Sequence, residues 1–360
     1  MNAPVRPRFW EQPVRPSREV DLDAVEIYRR GAFPAETEPS PWLDRIDAEA
    51  QIETRLAHGE ITGEEAELCR KWARDGYVIL EGFYDHARLD AVWVAYEAAI
   101  AAGEVAPPHE PIHEGDTRPG RTANAHFAVR AVDEMLFDPK MSHIVSVLMG
   151  AEARPFQTII GHKSSQQLEH SDSIHMSTWP QGYLAANWIA FEDVHADSGP
   201  LVYYPGSHRL PYLMSEDLGI PAAQNYEAYN SVYEPAIQAQ IAEHGLKPAY
   251  FLPRKGDVLL WHANLLHGGS KVRDVQLTRK ALVCHFFAKG CVCYHDLTGT
   301  LAHVQLGQDL YTYKPQNMAA SMERSRAKAG DLIGRARRKL KASGVKGLVS
   351  AVLAKASRKG

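Results

Sequence analysis

The sequence predicts a mainly β protein with helical additions, a sandwich or jelly roll behind a helical front. Three observations carry this expectation. Between Glu64 and Gly150 the apolar residues recur at helical spacing, after Gly150 short apolar runs alternate with turn residues, and no helices are interleaved regularly with the later strands. The last point argues against a parallel βαβ sheet.

Taken in order, residues 1–60 hold Pro4, Pro7, Pro13, Pro16, Pro34, Pro39 and Pro41 with isolated aromatic residues at Trp10 and Trp42, the pattern of an extended arm. From Glu64, the positions Ala66, Cys69, Trp72 and Ala73 form one helical stripe, which Gly76 ends before the apolar run Tyr77 to Leu80. Asp85 can cap a second helix whose stripe is Leu89, Val92, Trp93 and Tyr96, with Gly103 at its end. A third runs from Asp138-Pro139 to Gly150. Strands are then expected at 157–161, 167–172, 183–192, 201–204, 257–262 and 279–287. Residues 209–255 form a long insertion with Tyr226, Tyr229, Tyr233 and a short helix near Glu234-Pro235, the kind of loop that serves as a lid. The chain thus divides into an arm (1–60), a main domain (61–315) with helical support (61–150), a β core (151–300) and a lid (209–255), and a tail (316–360).

With 360 residues, 45% of them hydrophobic, the chain can bury a large core. The four cysteines, Cys69, Cys284, Cys291 and Cys293, suggest neither a disulfide framework nor a zinc site, and fit a reducing compartment. Neither a signal-peptide run nor a membrane-spanning segment is evident, so a cytoplasmic location is expected. The net charge of −4 hides an asymmetry, because Ser321 to Gly360 holds twelve Lys or Arg and two acids. That tail interleaves Leu332, Ile333, Leu340, Val345 and Leu348 with basic residues, as helices on anionic membranes do. Composition favours a solvated tail or one docked on a partner subunit. Without an aromatic stacking platform, no nucleic-acid partner is expected. The oligomeric state has no signature in the sequence.

Three segments carry candidate chemistry. His170-Ser171-Asp172 lies in an expected strand, where residues i and i+2 share a face, so an imidazole and a carboxylate can point together. Lys255 to Gly269 reads as turn, strand, histidine and two glycines, ending His267-Gly268-Gly269. Two imidazoles and a carboxylate on one side of an octahedral ion leave three positions open, the arrangement of non-haem iron oxygenases. In the third segment, alternation puts Arg279, Ala281, Val283 and His285 on one face. An arginine aimed into a β core needs an anion, because an unpaired buried guanidinium is costly.

In order and spacing these segments resemble the phytanoyl-CoA dioxygenase family of Fe(II)- and 2-oxoglutarate-dependent oxygenases, over roughly residues 64–290. Further matches are Asp75 to Val78, Trp188 to Asp193, Gly199-Pro200-Leu201 and Pro205 to His208. The resemblance implies a double-stranded β-helix, a cupin-like jelly roll. It implies His170, Asp172 and His267 as iron ligands and Arg279 as the anchor of 2-oxoglutarate, whose distal carboxylate a planar guanidinium can take bidentately. It further implies Fe(II), 2-oxoglutarate and O2 acting on a small-molecule or acyl substrate, with release of succinate and CO2. Because Asp172 is retained where related halogenases carry a small residue, hydroxylation or another oxidation at the same iron is favoured. A catalytically silent jelly-roll binding or regulatory protein and a non-oxidative cupin-type metalloenzyme are the rival classes.

The neighbours read as follows. Trp188 matches a family position beside the co-substrate, and core packing is its equal alternative. Gln157 and Gln167 lie on strands entering the site and can hydrogen-bond co-substrate or substrate, whereas Lys163 is read as solvent-facing. His175 is an odd number of residues from His170 and Asp172, so on a continuing strand it points away. His262 lacks the glycines and the arginine spacing and is read as a satisfied core histidine, and His285 faces inward beside Arg279.

Overall fold

A computed structural model describes residues 8–14, 20–35, 41–105, 121–222 and 227–301. The basic tail and Tyr226 lie outside the described residues. The helical front comprises α1 (Ala48–Ala57), α2 (Gly63–Asp75), α3 (His86–Ala101), α4 (Arg130–Leu136) and α5 (Pro139–Met149), with β1 (Tyr77–Leu80) and β2 (Thr122–Ala123) among them. The expected signals start and stop these helices. Thr62 and Glu65 form a reciprocal capping box at α2, Asp85 accepts from the first amides of α3, and Asp138 does so for α5, where Pro139 follows. Gly76 ends α2 at φ 79°, and a Cβ there would sit 2.4 Å from His208 Nδ1, so glycine is needed for both conformation and space.

The β portion begins at β3 (Ala153–Gly161) and continues with β4 (Ser177–Trp179), β5 (Leu184–Ala190), β6 (Leu201–Tyr203), α6 (Glu234–Glu243), β7 (Ala249–Phe251), β8 (Val258–His262), β9 (His267–Gly269), β10 (Ala281–Ala288), β11 (Val292–His295) and β12 (Thr300–Leu301). A six-stranded antiparallel sheet runs β1-β8-β5-β10-β3-β2, and two three-stranded sheets run β7-β6-β9 and β12-β11-β4. Apolar residues of the large sheet (Trp188, Leu259, Trp261, Ala281) pack with Leu201, Tyr203 and Phe251 of the smaller one. The result is the jelly roll expected, mainly β with helical additions.

The two faces of the large sheet differ in a way that locates the site. Thr158, Ile160, Leu282 and Cys284 have no accessible surface, and the strands that carry them contact α5. Their alternating neighbours Gln157, Ile159 and Val283 are only half-buried although they face the other sheet. Accessible surface there means space between the sheets.

Two expectations need correction. The stretch 1–60 is not extended throughout. Residues 48–57 form α1, tied to α2 by Arg70 Nε to Glu49 at 2.9 Å and by Arg70 to Glu53, and Trp42 is buried with its indole N–H on the Val147 carbonyl at 2.9 Å. The helix expected near Glu234-Pro235 within 209–255 is α6, preceded by a π-helical turn at Tyr229–Tyr233 and followed by β7. The strand expected at 167–172 is not formed. His170 makes an isolated bridge with His267, and a 3₁₀ turn begins at Asp172.

Candidate metal centre

His170 and His267 are brought together by backbone pairing. Each donates its amide to the other's carbonyl, at 2.9 and 3.0 Å, which sets their imidazoles side by side with ring centroids 4.6 Å apart. Gly268 makes this approach feasible, because a Cβ there would lie 2.9 Å from the Gln167 carbonyl oxygen. The two rings are oriented alike. His170 Nδ1 lies 2.8 Å from the Leu168 carbonyl and His267 Nδ1 lies 2.9 Å from that of Leu265, in each case two residues earlier. A neutral ring so placed keeps its proton on Nδ1 and turns the Nε2 lone pair toward the site.

Asp172 completes the group. Its Oδ1 is 3.6 Å from His267 Nε2 and 3.9 Å from His170 Nε2, and one ligand atom from each residue lies within 4.8 Å of the others. All three residues are 6% exposed, which leaves room for small molecules and excludes bulk water. Burial holds His170 well below the usual imidazole range, and so neutral. Burial pushes the Asp172 carboxyl up, but its attraction to His267, His285 and His170 and a hydrogen bond from Trp261 outweigh it and bring the carboxyl below its ordinary value. Two imidazole nitrogens and one carboxylate oxygen suit a divalent iron ion.

The other expected residues fall around this group. Arg279 is 7% exposed and donates from Nη1 to the Gly199 carbonyl at 2.9 Å, while its buried Nε meets no acceptor among the described residues. Burial, and then the charge of Arg121, push its pKa down to about 9, so it is still a cation at neutral pH. An orphaned donor on a buried cation fits the carboxylate of an organic acid. Trp188 lies under this guanidinium, with the carbon of the fork 5.5 Å from the ring centroid, and is also part of the apolar core. Gln157 stands opposite His285 on the adjacent strand and shares its face. Gln167 accepts from Arg121 at 3.1 Å and points Nε2 toward His175 and Tyr229, each at 3.4 Å. Lys163 donates to the Val275 carbonyl at 2.6 Å, at the surface. His262 is satisfied in the core by the Asn264 amide and Asp44, as expected. His285 is buried, with Nε2 4.0 Å from Asp172 Oδ2.

His175 departs from the parity argument. Its ring centroid is 5.5 Å from that of His170 and 4.9 Å from that of Tyr229, beside the site rather than away from it. The cause is the 3₁₀ turn capped by Ser171, whose Oγ accepts the Ser173 amide, because residues i and i+3 eclipse in such a turn and His175 lines up with Asp172. Other contributors had no sequence signal of their own. Ser171 donates from Oγ to Ala263 O and Asn264 Oδ1 and from its amide to Tyr233 Oη; Asn264 in turn holds the carbonyls of His208 and Leu210. Trp261 Nε1 donates to Asp172 Oδ2 at 2.8 Å. In the fold, Trp261 stands opposite Ala186 of β5.

The family model for phytanoyl-CoA dioxygenase matches residues 72–281, more than half of the chain. The chain belongs to the phytanoyl-CoA dioxygenase family. It is 27% identical over 145 residues to the peroxisomal phytanoyl-CoA dioxygenase of Mus musculus, an alignment covering 39% of each chain. It is 23% identical over 255 residues to the ectoine dioxygenase of Halomonas elongata, covering 64% of this chain and 70% of the relative. The chain thus aligns with about two fifths of the mouse relative's length. Among solved structures, a non-heme alpha ketoglutarate dependent carbocyclase, SnoK from nogalamycin biosynthesis, superposes with a TM-score of 0.53 at 18% identity, covering 72% of this chain and 90% of the other. At that identity the likeness speaks for the shared fold. The residues that family membership implies as ligands, His170, Asp172 and His267, are those the fold gathers.

Proposed function

We propose that this protein is an Fe(II)- and 2-oxoglutarate-dependent dioxygenase that hydroxylates a small-molecule or acyl substrate with release of succinate and CO2. The observation that carries the reading is the pairing of a buried two-histidine, one-carboxylate face with a buried arginine whose Nε has no acceptor. His170, Asp172 and His267 would hold the iron, and Arg279 would take the distal carboxylate of 2-oxoglutarate. When bound, iron and 2-oxoglutarate supply an O2-derived oxidant, one oxygen atom going to succinate and the other to the oxidised substrate.

The chain's own residues do the rest. Nδ1 of each imidazole faces a backbone carbonyl, which turns Nε2 toward the site, and Trp261 donates to Asp172, so the face presents two nitrogens and a carboxylate oxygen to a cation. Arg279, seated on Trp188 and the Gly199 carbonyl, would hold one end of the co-substrate in place. The half-buried inner-face residues Gln157, Ile159 and Val283 border the remaining space, where a substrate with an apolar body and a polar group would fit. Asp172 stands where related halogenases carry a small residue, which favours transfer of oxygen. The names of the relatives, phytanoyl-CoA dioxygenase and ectoine dioxygenase, agree with this chemistry and cover both an acyl thioester and a small metabolite.

Anaerobic addition of Fe(II) and 2-oxoglutarate should produce a metal-to-ligand charge-transfer band, weakened in Asp172→Ala and Arg279→Ala. Absence of the band from the wild-type protein, together with no succinate under oxygen, would remove this reading in favour of a silent binding protein. A metal-loaded protein that binds no 2-oxoglutarate would instead indicate non-oxidative chemistry.

A further inference from the structure

We propose that Trp261 is a positioning residue that makes Asp172 a one-oxygen metal ligand. The inference rests on the metal-centre reading above and deepens it. The two carboxylate oxygens of Asp172 have different surroundings: Oδ1 faces the Nε2 atoms of His267 and His170, at 3.6 and 3.9 Å, whereas Oδ2 accepts from Trp261 Nε1 at 2.8 Å and has His285 Nε2 at 4.0 Å. A carboxylate free to turn can offer a cation one oxygen or both. The indole N–H holds Oδ2 back and so decides how many positions Asp172 occupies.

Several features make Trp261 suited to this. It is 2% exposed, near the end of β8, flanked by Tyr77 on β1 and Ala186 on β5, so its ring has little freedom. Its indole lies against the imidazole of His267, with centroids 4.8 Å apart, so one side chain touches two of the three ligands. An indole can donate and cannot accept, so at this position it engages a lone pair of Oδ2 and leaves Oδ1 to a metal. On an iron with three protein donors, an Asp172 that bound through both oxygens would take one of the positions that co-substrate and oxygen need.

The test uses the full-length protein and Co(II) alone, so that it is independent of turnover. Three proteins are titrated anaerobically: wild type, Trp261→Phe, and wild type with β-(3-benzothienyl)alanine at position 261, which keeps the shape of the indole and replaces N–H by sulfur. Loss of the donor should weaken Co(II) binding about 10- to 100-fold, and it should change the visible ligand-field bands of the saturated protein. The same replacements in an Asp172→Ala background should leave the remaining Co(II) affinity unchanged within about threefold, because the effect passes through the carboxylate. Wild-type affinity and an unchanged spectrum in the benzothienyl protein overturn the proposal, as does an equal loss in the Asp172→Ala background, which marks a general packing role. A wild-type protein that takes up no Co(II) overturns the metal-centre reading and this inference together. Thus failure of the wild type and failure of the variants are distinguishable.

Discussion

Arg279 is the residue at which stability and function pull in opposite directions. Its guanidinium has one carbonyl partner, an orphaned Nε and a second cation, Arg121, near enough to lower its pKa. Burying such a group costs folding free energy and is retained where a ligand needs it. Arg279→Met should therefore stabilise the ligand-free protein, by roughly 1 to 3 kcal/mol in urea denaturation, and weaken 2-oxoglutarate binding about 10- to 100-fold. If this substitution instead destabilises the ligand-free protein, the buried cation is not a net cost to folding. The identity of Arg279 was legible from its register with Ala281, Val283 and His285. What it touches was not, because Gly199 is eighty residues away in the chain and Arg121 immediately precedes the edge strand β2.

At the scale of elements, the ligand-bearing segments are held by backbone contact more than by side chains. His170 and His267 exchange both hydrogen bonds, Gly269 donates to the Gln167 carbonyl at 2.8 Å, and Gly268 leaves no room for a Cβ against that backbone. Gly268→Ala should push β9 away from residues 167–169 and separate the two imidazoles. We expect at least a tenfold loss of Co(II) affinity with far-ultraviolet circular dichroism unchanged. Undiminished metal binding in this variant would show that the close approach is dispensable. The sequence pattern His-Gly-Gly was readable as a motif, while its reason, steric contact with a distant segment, needed the fold. Helix caps were more transparent, since Thr62, Asp85 and Asp138 act within three residues of themselves. The helix α1 has no clear sequence signal because only Ala48 and Ile52 of its ten residues are buried, too few to mark a stripe.

For the whole molecule, burial of neutral histidines sets a lower pH limit. Burial pushes His126, bonded through Nδ1 to Thr158 Oγ1, down to about 4, and pushes His208 down to about 3. In the unfolded chain both take up a proton near pH 6.5, whereas in the folded chain they do not until far lower. The stability they contribute is therefore complete above about pH 6.5 and is lost as pH falls toward 4, up to about 3 kcal/mol for each. Urea denaturation of the metal-free protein between pH 7.5 and 4.5 should show this decline, with a shallower slope in His126→Asn. A flat profile across that range would rule out the assignment. No helix among the described residues is long and apolar enough to cross a membrane.

The sequence by itself determined the class of fold, the family and the candidate ligand residues with their arginine, because alternation, capping and motif spacing are properties of neighbours along the chain. The tertiary structure decided which histidines share the site and what steadies them. His175 turned toward His170 because Ser171 starts a 3₁₀ turn where alternation demanded a strand, and Trp261 and His285 reached Asp172 only through the pairing of β8, β5 and β10. The contacts of Trp261 and His285 with Asp172 join residues about ninety to a hundred and fifteen positions apart, and no local periodicity carries information over such a separation.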